Sequence, residues 1–237
     1  MSLLSVIQYV CGRTNVPVPA TVLGTTDPQV LQMLRLLEEE GADLCPRHPW
    51  QGITNEATWS STAAEDQGAI TTLAPNGFDY IKNYSFWDRT ARLPILGPLN
   101  DVEWQARKAR GLTGPRYSYR IRGGHILINP TPMAAHTWVF EYASKNWILA
   151  ADGTTYKQYF TLDTDTILLP EELVLMGLRW RWKKEKGLDY AEDFSTYEFQ
   201  VKNAMGRDGG KTTISMVGGG RQDARPGIFV PDYNWLQ

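Results

Sequence analysis

The sequence has few cysteines, no long apolar run and no excess of either charge sign. Its two cysteines, Cys11 and Cys45, are too few for a disulfide framework and favour buried free thiols over a bridge. No apolar stretch approaches the ~20 residues that cross a bilayer, and the first residues lack the basic region of a secretory signal. These absences predict synthesis in a cytoplasm and no membrane partner.

The charge balance gives no overall attraction to a polyanion. The 237 residues include 24 basic and 26 acidic side chains, for a net charge of -2. Hydrophobic residues make up 42% and charged residues 21%, which is typical of a folded globular chain of one large or two small domains. Nine Trp and eleven Tyr provide large rigid surfaces that suit both cores and interfaces.

Signatures of catalysis and of metal binding are also missing. The three histidines are dispersed, neither cysteine has a partner at zinc-ligand spacing, and no Gly-x-Ser-x-Gly elbow occurs. The run Gly218-Gly219-Gly220 lacks the Lys-Ser/Thr end of a phosphate loop and is better explained as a linker. We therefore expect no catalytic residue, no cofactor and no metal.

Two groups of carboxylates need an interpretation. Glu38, Glu39 and Glu40 are consecutive, and helical geometry spreads them around the axis, which predicts a solvated helix face. Asp163 and Asp165 alternate in a loop but lack the further oxygen ligands of a calcium site, so we predict a loop or helix entry there.

The N-terminal part has a helical pattern. Apolar spacing over residues 3–11 predicts a short helix that Gly12 ends. Asp27 and Pro28 predict the cap and first position of a second helix, which Pro46 terminates. Trp50 follows, and its large ring predicts an anchor in the core.

Residues 53–142 change to short Thr-, Ile-, Tyr- and Trp-rich runs, which predict antiparallel strands. The pair Gly123-Gly124 predicts a two-residue hairpin turn, and residues 53–60 are predicted to pair with residues 69–73. Residues 100–110 predict a short helix.

A basic cluster with interleaved tyrosines lies in the same region. It comprises Arg107, Lys108, Arg110, Arg116, Arg120 and Arg122, next to Tyr117 and Tyr119. Such a mixture can bind phosphates and stack on bases. Strand alternation puts the tyrosines and arginines on opposite faces, so we favour a strand with one buried and one solvated face.

Residues 170–206 are specified as a helical hairpin. Pro170 with Glu171 and Glu172 marks the start of the first helix, and lysines mark its end before Gly187. Asp189 and Glu192 have capping-box spacing at the start of the second helix, which Gly206 is expected to end. The apolar surface of the first helix is wider than one seam and predicts burial on two sides.

The segment after Gly206 is rich in glycine and polar residues, which predicts an extended tail. The tail nevertheless ends in apolar side chains: Ile228, Phe229, Val230, Tyr233, Trp235 and Leu236. Two interpretations stay open, in which the tail either folds back on its own domain or docks on a neighbouring protein.

Several phrases of this sequence resemble the head-to-tail adaptor proteins of tailed phages, also called connector or tail tubular protein A-like proteins. The phrases are Pro46-Arg47-His48-Pro49-Trp50, Pro115-Arg116-Tyr117 through Gly123 to Asn129-Pro130, Phe140-Glu141-Tyr142-Ala143-Ser144-Lys145-Asn146-Trp147, Leu169-Pro170-Glu171-Glu172-Leu173 and Trp180-Arg181-Trp182-Lys183 through Gly187-Leu188-Asp189-Tyr190. Together with the order of elements they cover most of residues 1–206.

The resemblance implies an α+β fold in which a helical body carries an inserted antiparallel β domain. On this basis residues 1–50 form the N-terminal helical part, 51–168 the β-rich insertion, 169–207 the helical hairpin and 208–237 the extended tail. It also implies a virion protein at the head-tail junction, in a homo-oligomeric ring of twelve subunits between the portal protein and the next tail or nozzle component. Double-stranded DNA would pass through its lumen without sequence specificity.

These expectations assign three groups of residues. Leu175, Leu178, Trp180, Trp182 and Tyr197 are predicted to form the subunit interface, and the apolar tail residues from Ile228 to Leu236 to bind the portal or a neighbour. Arg179, Arg181, Lys183 and Lys184 are candidates for charge along a DNA channel.

Two alternatives remain. The aromatic β region also suits a glycan- or receptor-binding virion module, and carboxylates far apart in sequence leave room for a virion-associated peptidoglycan hydrolase.

Overall fold

The computed structural model describes residues 1–111 and 116–209. Within these ranges the helices are α1 (Leu3–Thr14), α2 (Pro28–Leu44), α3 (Ile70–Leu73), α4 (Asp101–Arg110), α5 (Glu171–Glu185) and α6 (Ala191–Arg207). The strands are β1 (Thr54–Ser60), β2 (Asp66–Ala69), β3 (Phe78–Ile81), β4 (Trp87–Asp88), β5 (Leu93–Pro94), β6 (Ser118–Arg122), β7 (His125–Asn129), β8 (Thr137–Ser144), β9 (Ile148–Leu149), β10 (Tyr156–Lys157) and β11 (Thr166–Ile167). The predicted α+β class is confirmed.

The strands form three sheets. The largest has the order β1-β8-β4-β5, with β3 also paired to β8. A second has the order β2-β7-β6, and a third, of short strands, has the order β10-β9-β11. The chain divides into two compact units, which we call the helical unit and the β unit.

The helical unit comprises residues 1–55, 76–80 and the described chain from residue 143 onward, and the β unit comprises residues 56–75 and 81–142 among those described. Residues 143–168 are therefore part of the helical unit. The domain boundaries predicted from the sequence had grouped them with the β-rich insertion. Their short strands β9, β10 and β11 lie there with all helices except α3 and α4.

The second helix begins as its sequence predicts. The Asp27 carboxylate accepts a hydrogen bond from the Gln29 amide at 2.8 Å, and Pro28 occupies the first turn. The first helix differs from expectation because it continues through Gly12 to Thr14. Asn15, with a φ of 57°, provides the left-handed cap that was assigned to the glycine.

The helical unit contains one continuous apolar core drawn from every long helix in it. Trp50 is buried there as predicted, and its indole N–H donates to the Leu44 carbonyl at 2.9 Å. Gly41 lies in the last turn of α2 for a steric reason: a Cβ at this position would overlap the Trp147 ring. Cys11 and Cys45 are buried free thiols, which confirms that prediction.

The β unit has an aromatic core. Trp138 is buried, and its ring meets the rings of Trp59 and Phe86 edge-on at centroid distances of 6.1 and 6.0 Å. Phe140 adds further edge contacts with Trp59 and Phe86 at 5.4 and 5.5 Å. Edge-to-face packing of this kind is favourable beyond the area it buries.

The predicted hairpin between β6 and β7 is confirmed. Gly123 and Gly124 both have positive φ, as a two-residue turn of this type requires, and Arg122 pairs with His125 beside them. The predicted pairing of residues 53–60 with 69–73 is wrong. Strand β1 pairs with β8 instead, and residues 70–73 form α3.

The helical hairpin is confirmed with different ends. Pro170 is the N-cap residue of α5, Tyr190 is that of α6, and neither helix start has a side-chain cap bond. Gly187 follows α5 with a φ of 67°. Asp189 instead accepts from the Ala191 amide at 3.2 Å, and α6 passes Gly206 to end at Arg207.

The tail residues 228–236 lie outside the described chain. None of the described helices is long and apolar enough to span a bilayer.

Candidate assembly surface

A charged network lies inside the helical unit, where α2, α5 and α6 meet. The Arg181 guanidinium donates from Nε to Glu40 Oε2 and from Nη1 to Glu39 Oε1, each at 2.7 Å, and from Nη2 to Asp43 Oδ2 at 2.9 Å. The Tyr197 hydroxyl donates to the other Glu40 oxygen at 2.5 Å. One side chain from each of α5 and α6 therefore holds the same buried carboxylate of α2.

The prediction of a solvated face for Glu38 to Glu40 is wrong for Glu40, which is 0% exposed. Glu40 occupies the apolar stripe of α2, three residues after Leu37 and four before Leu44, and both of these leucines are fully buried. The position of Glu40 on the apolar stripe can be read from the sequence. The partner of Glu40 cannot, because Arg181 lies 141 residues away.

Burial is the largest influence on the carboxyl of Glu40 and raises its pKa. Hydrogen bonds from Tyr197 and Arg181 and the charge of Arg181 act in the opposite direction, but the pKa remains above its ordinary value. Burial, together with the adjacent Glu40, also raises the pKa of Tyr197. The proton of the tyrosine is therefore held firmly as the donor to Glu40.

Gly177 makes room for this network. A Cβ at this position of α5 would overlap the carboxyl of Glu40. Glycine in a helix interior costs about 0.5–1 kcal/mol relative to alanine, and the overlap that an alanine side chain would make with Glu40 explains why this helix carries a glycine here. The glycine and the buried acid are one structural arrangement.

A second arginine extends the network toward α6. Arg47 donates to Asp43 Oδ2 and to Glu198 Oε1, each at 2.7 Å. Asp43 consequently accepts from both Arg47 and Arg181. Planar guanidinium groups suit this role because they present several donors in a fixed geometry.

Trp180 packs the two helices of the hairpin together. Its ring lies 5.0 Å from that of Phe194 and 6.1 Å from that of Tyr197. The guanidinium carbon of Arg181 lies 4.7 Å from the Trp180 ring, within cation-π range. The position of α6 on α5 is thus fixed by aromatic contacts and by charge.

The comparison with protein families decides what kind of molecule this is. A family model described as SU10 adaptor protein matches residues 1–224. The chain belongs to the SU10 adaptor protein family. This is a family of phage head-to-tail adaptors, and the chain is accordingly a structural adaptor protein of a phage. No curated protein matches the sequence.

The adaptor chain buries four of its five predicted interface residues within itself. Leu178, Trp180, Trp182 and Tyr197 all belong to the core of the helical unit. Leu175 is half-buried and lines a groove on its surface. The wide apolar surface of α5 is therefore covered by other helices of the same chain. The sequence pattern alone did not distinguish such internal packing from a contact with a neighbouring subunit.

The four predicted channel charges have different environments. Arg181 belongs to the buried network, and both Arg179 and Lys183 contact the carboxylate of Asp193. Lys184 is exposed, with its ammonium 5.9 Å from the Trp180 ring. Burial raises the pKa of Asp193, but the hydrogen bond from Lys183 and the charge of Arg179 outweigh it and leave that pKa below its ordinary value.

A groove of about 310 Å³ opens on the helical unit between α1, α5 and α6. Its apolar part is formed by Tyr9, Val10, Leu175 and Met176. Charged side chains from the same three helices border it, namely Arg13, Glu172, Arg179 and Asp193.

Helix α6 presents apolar side chains to solvent. Phe199 is 62% exposed, and Phe194 and Tyr190 are also exposed on this helix and at its start. Leu188, in the turn before α6, is exposed as well. Exposed aromatic side chains on one element are typical of a protein contact surface.

In the β unit, most cationic side chains of the basic cluster are exposed, as predicted, but the side chain of Arg120 is only 15% exposed. Tyr117 and Tyr119 are buried, while Arg120 pairs with Asp101 at 2.6 Å and Lys108 pairs with Glu65. A second groove, of about 670 Å³, is lined by residues that include Tyr84 and Trp87.

The acidic pair considered for metal binding has structural partners. Asp163 accepts from the Val22 and Leu23 amides at 2.9 and 2.8 Å, and Asp165 accepts from the Thr161 and Leu162 amides at 2.8 and 3.0 Å. These contacts confirm a loop role. Among the described residues no group of three His, Cys, Asp or Glu side chains is placed to hold a metal ion.

Proposed function

We propose that twelve copies of this adaptor form a ring between the portal protein and the next tail component. Double-stranded DNA passes through the lumen of the ring without sequence-specific contacts. The observation that carries this proposal is the match of the SU10 adaptor family model to residues 1–224, which spans both compact units.

The side of α6 that carries Phe199 and the groove beside Leu175 supply the contacts between subunits. These are two unlike surfaces on one chain, and a head-to-tail contact between unlike surfaces generates a closed ring when its rotation closes. Trp180 and Trp182 support the contact indirectly, because they fix α5 within the subunit. Phe199 is the better probe of assembly, since its side chain is not part of the core.

Lysine side chains at the end of α5 supply charge to the lumen. Lys184 is exposed, and Lys186 donates to Gln32 at 2.8 Å while its ammonium lies over Trp182. A ring repeats such charges around its axis, which weakly attracts the DNA backbone in a salt-dependent manner. Arg181 has no part in this, because its charge is paired inside the subunit.

The tail supplies a contact to the portal or to a neighbouring subunit. Its apolar residues, from Ile228 to Leu236, are too numerous for a solvated linker. Because the described chain ends next to the helical hairpin, this contact leaves from the same unit that carries the proposed ring surfaces.

Assembly can be measured with the purified chain and the portal of the same phage. We expect native mass spectrometry to give a complex of ring size, and Phe199→Ser to reduce its amount at least several-fold, because a large exposed aromatic side chain at an interface contributes strongly to binding. Ser195, exposed on the same helix but small, gives the control variant Ser195→Ala, which should assemble normally.

Deletion of residues 211–237 tests the tail in the same assay. We expect it to weaken the complex while leaving the far-ultraviolet circular dichroism of the helical unit intact. A wild-type chain that stays monomeric with and without portal would reject the ring.

A further inference from the structure

The groove between α1, α5 and α6 has an apolar floor with exposed charge at its rim. Val10, Leu175 and Met176 form the floor. Arg13 and Glu172 are exposed at the rim, where the guanidinium carbon of Arg13 lies 5.5 Å from the Tyr9 ring, and neither side chain forms an ion pair within the described chain. Such a surface suits a short apolar segment that has a cation at one end and an anion at the other.

The tail contains a segment of this kind. Residues 225–232 are Arg-Pro-Gly-Ile-Phe-Val-Pro-Asp, so the apolar run 228–230 lies between Arg225 and Asp232. Proline at 231 disfavours the helical region for Val230, and alternate side chains of an extended segment point to the same side. Ile228 and Val230 can then face one surface together.

We propose that residues 225–232 of one copy dock in the groove of a second copy. Ile228 and Val230 pack on the floor, Arg225 pairs with Glu172, and Asp232 pairs with Arg13. This docking rests on the proposed ring, in which the groove is one of the surfaces that contact a neighbouring subunit. It assigns the contact at the groove to the first part of the apolar tail and leaves the exposed side chains of α6 to a second contact between subunits.

The chain is long enough for this connection. Asp208 is fixed to the helical unit, because its carboxylate accepts from the Gln51 amide at 2.9 Å and lies 3.3 Å from His48 Nε2. Residues 209–227 then separate this point from Ile228. At ~3.3 Å per extended residue, they span up to about 60 Å, which exceeds the diameter of a small domain.

Photo-crosslinking of the full chain tests the docking directly. One preparation carries Ile228→p-benzoylphenylalanine, at a position that faces the groove floor, and a second, isotope-labelled preparation carries the native residue. After mixing, we expect crosslinked peptides that join the unlabelled tail to labelled residues 9–13 or 172–196. Crosslinks within unlabelled copies only, crosslinks elsewhere, or no crosslinks would each overturn the proposal.

Charge exchange provides a matched control that leaves the core untouched. Arg225→Glu with Asp232→Lys should reduce the crosslink yield at least several-fold, and adding Arg13→Glu with Glu172→Lys should restore it. Restoration requires the pairing stated above, whereas a yield that does not change with the first pair of substitutions contradicts it. Circular dichroism of each variant verifies that the helices are intact.

The ring itself is measured separately. If native mass spectrometry gives rings but the crosslinks fall outside the groove, the docking is rejected and the ring is retained. If no rings form with or without the portal and no crosslinks join different copies, both are rejected.

Discussion

Glu40 and Asp88 are both completely buried, but their environments shift the two acids in opposite directions. Glu40, in the helical unit, keeps a raised pKa because burial outweighs its hydrogen bonds to Tyr197 and Arg181. Burial also raises the pKa of Asp88, in the β unit, but the Ala91 amide at 2.8 Å and His136 Nδ1 at 2.7 Å overcome it and leave a lowered value.

The difference shows two uses of a buried acid. The Asp88 carboxylate accepts a hydrogen bond from the Ala91 amide and so organises a turn. The core of the β unit around it is aromatic. Glu40 instead joins three helices through side chains that are far apart in sequence. A buried ion pair adds little net stability over an apolar pair of the same shape, but losing one partner is costly.

The largest expected effect is from Arg181→Met. This change leaves Glu40 buried without its cationic partner and should lower the free energy of unfolding of the helical unit by about 3–5 kcal/mol. Urea denaturation followed by tryptophan fluorescence measures it. The double variant Glu40→Met with Arg181→Met should be more stable than Arg181→Met alone, because no unpaired charge remains.

Arg35→Met is the matched control for that experiment. Arg35 also pairs with a glutamate, Glu38, at 2.7 Å, but its side chain is 77% exposed. The loss should therefore be below about 1 kcal/mol. Equal losses for the two arginine variants would show that burial of Glu40 is not what distinguishes the helical unit.

Gly177→Ala should have the next largest effect. The added methyl group overlaps the Glu40 carboxyl, and overpacking in a filled core costs about 1–3 kcal/mol. Gly12→Ala in α1 adds the same methyl group where no heavy atom lies within 4 Å, and should stabilise by up to about 1 kcal/mol. Thermal unfolding of both variants checks the opposite signs, and destabilisation by both would contradict this account.

Much of the fold was predictable because its signals are local. Asp27 with Pro28, the Gly123-Gly124 turn and the start of α5 each depend on a few adjacent residues. The true end of α1 was missed because Asn15 adopts the left-handed conformation in place of Gly12. The pairing of β1 with β8 was missed because it joins strands far apart in the chain.

The candidate surface was less predictable because it depends on contacts between residues that are far apart in the chain. A wide apolar face on α5 indicates burial but does not say whether the covering helix belongs to the same chain. Here Trp180, Trp182 and Tyr197 are covered within the helical unit, and Phe199 is the large apolar side chain left most exposed on α6. The burial of Glu40 was missed, although its spacing from Leu37 and Leu44 puts it on the apolar stripe, because its partner Arg181 lies far away in the sequence.

The smallest expected effect is on the pH dependence of stability, and it tests the comparison of the two acids most directly. Asp88 has a lowered folded pKa, so its stabilisation is present above the unfolded value of about 3.9 and is lost as pH falls through the folded value. Glu40 has a raised folded pKa, so its favourable contribution is present below about 4.3 and is lost as pH rises through the folded value. Relative to wild type, Asp88→Asn should flatten the acid limb below about pH 4, and Glu40→Gln should remove a decline above it. Urea midpoints measured across this range distinguish the two, and the same direction of change in both variants would mean that the two acids do not differ.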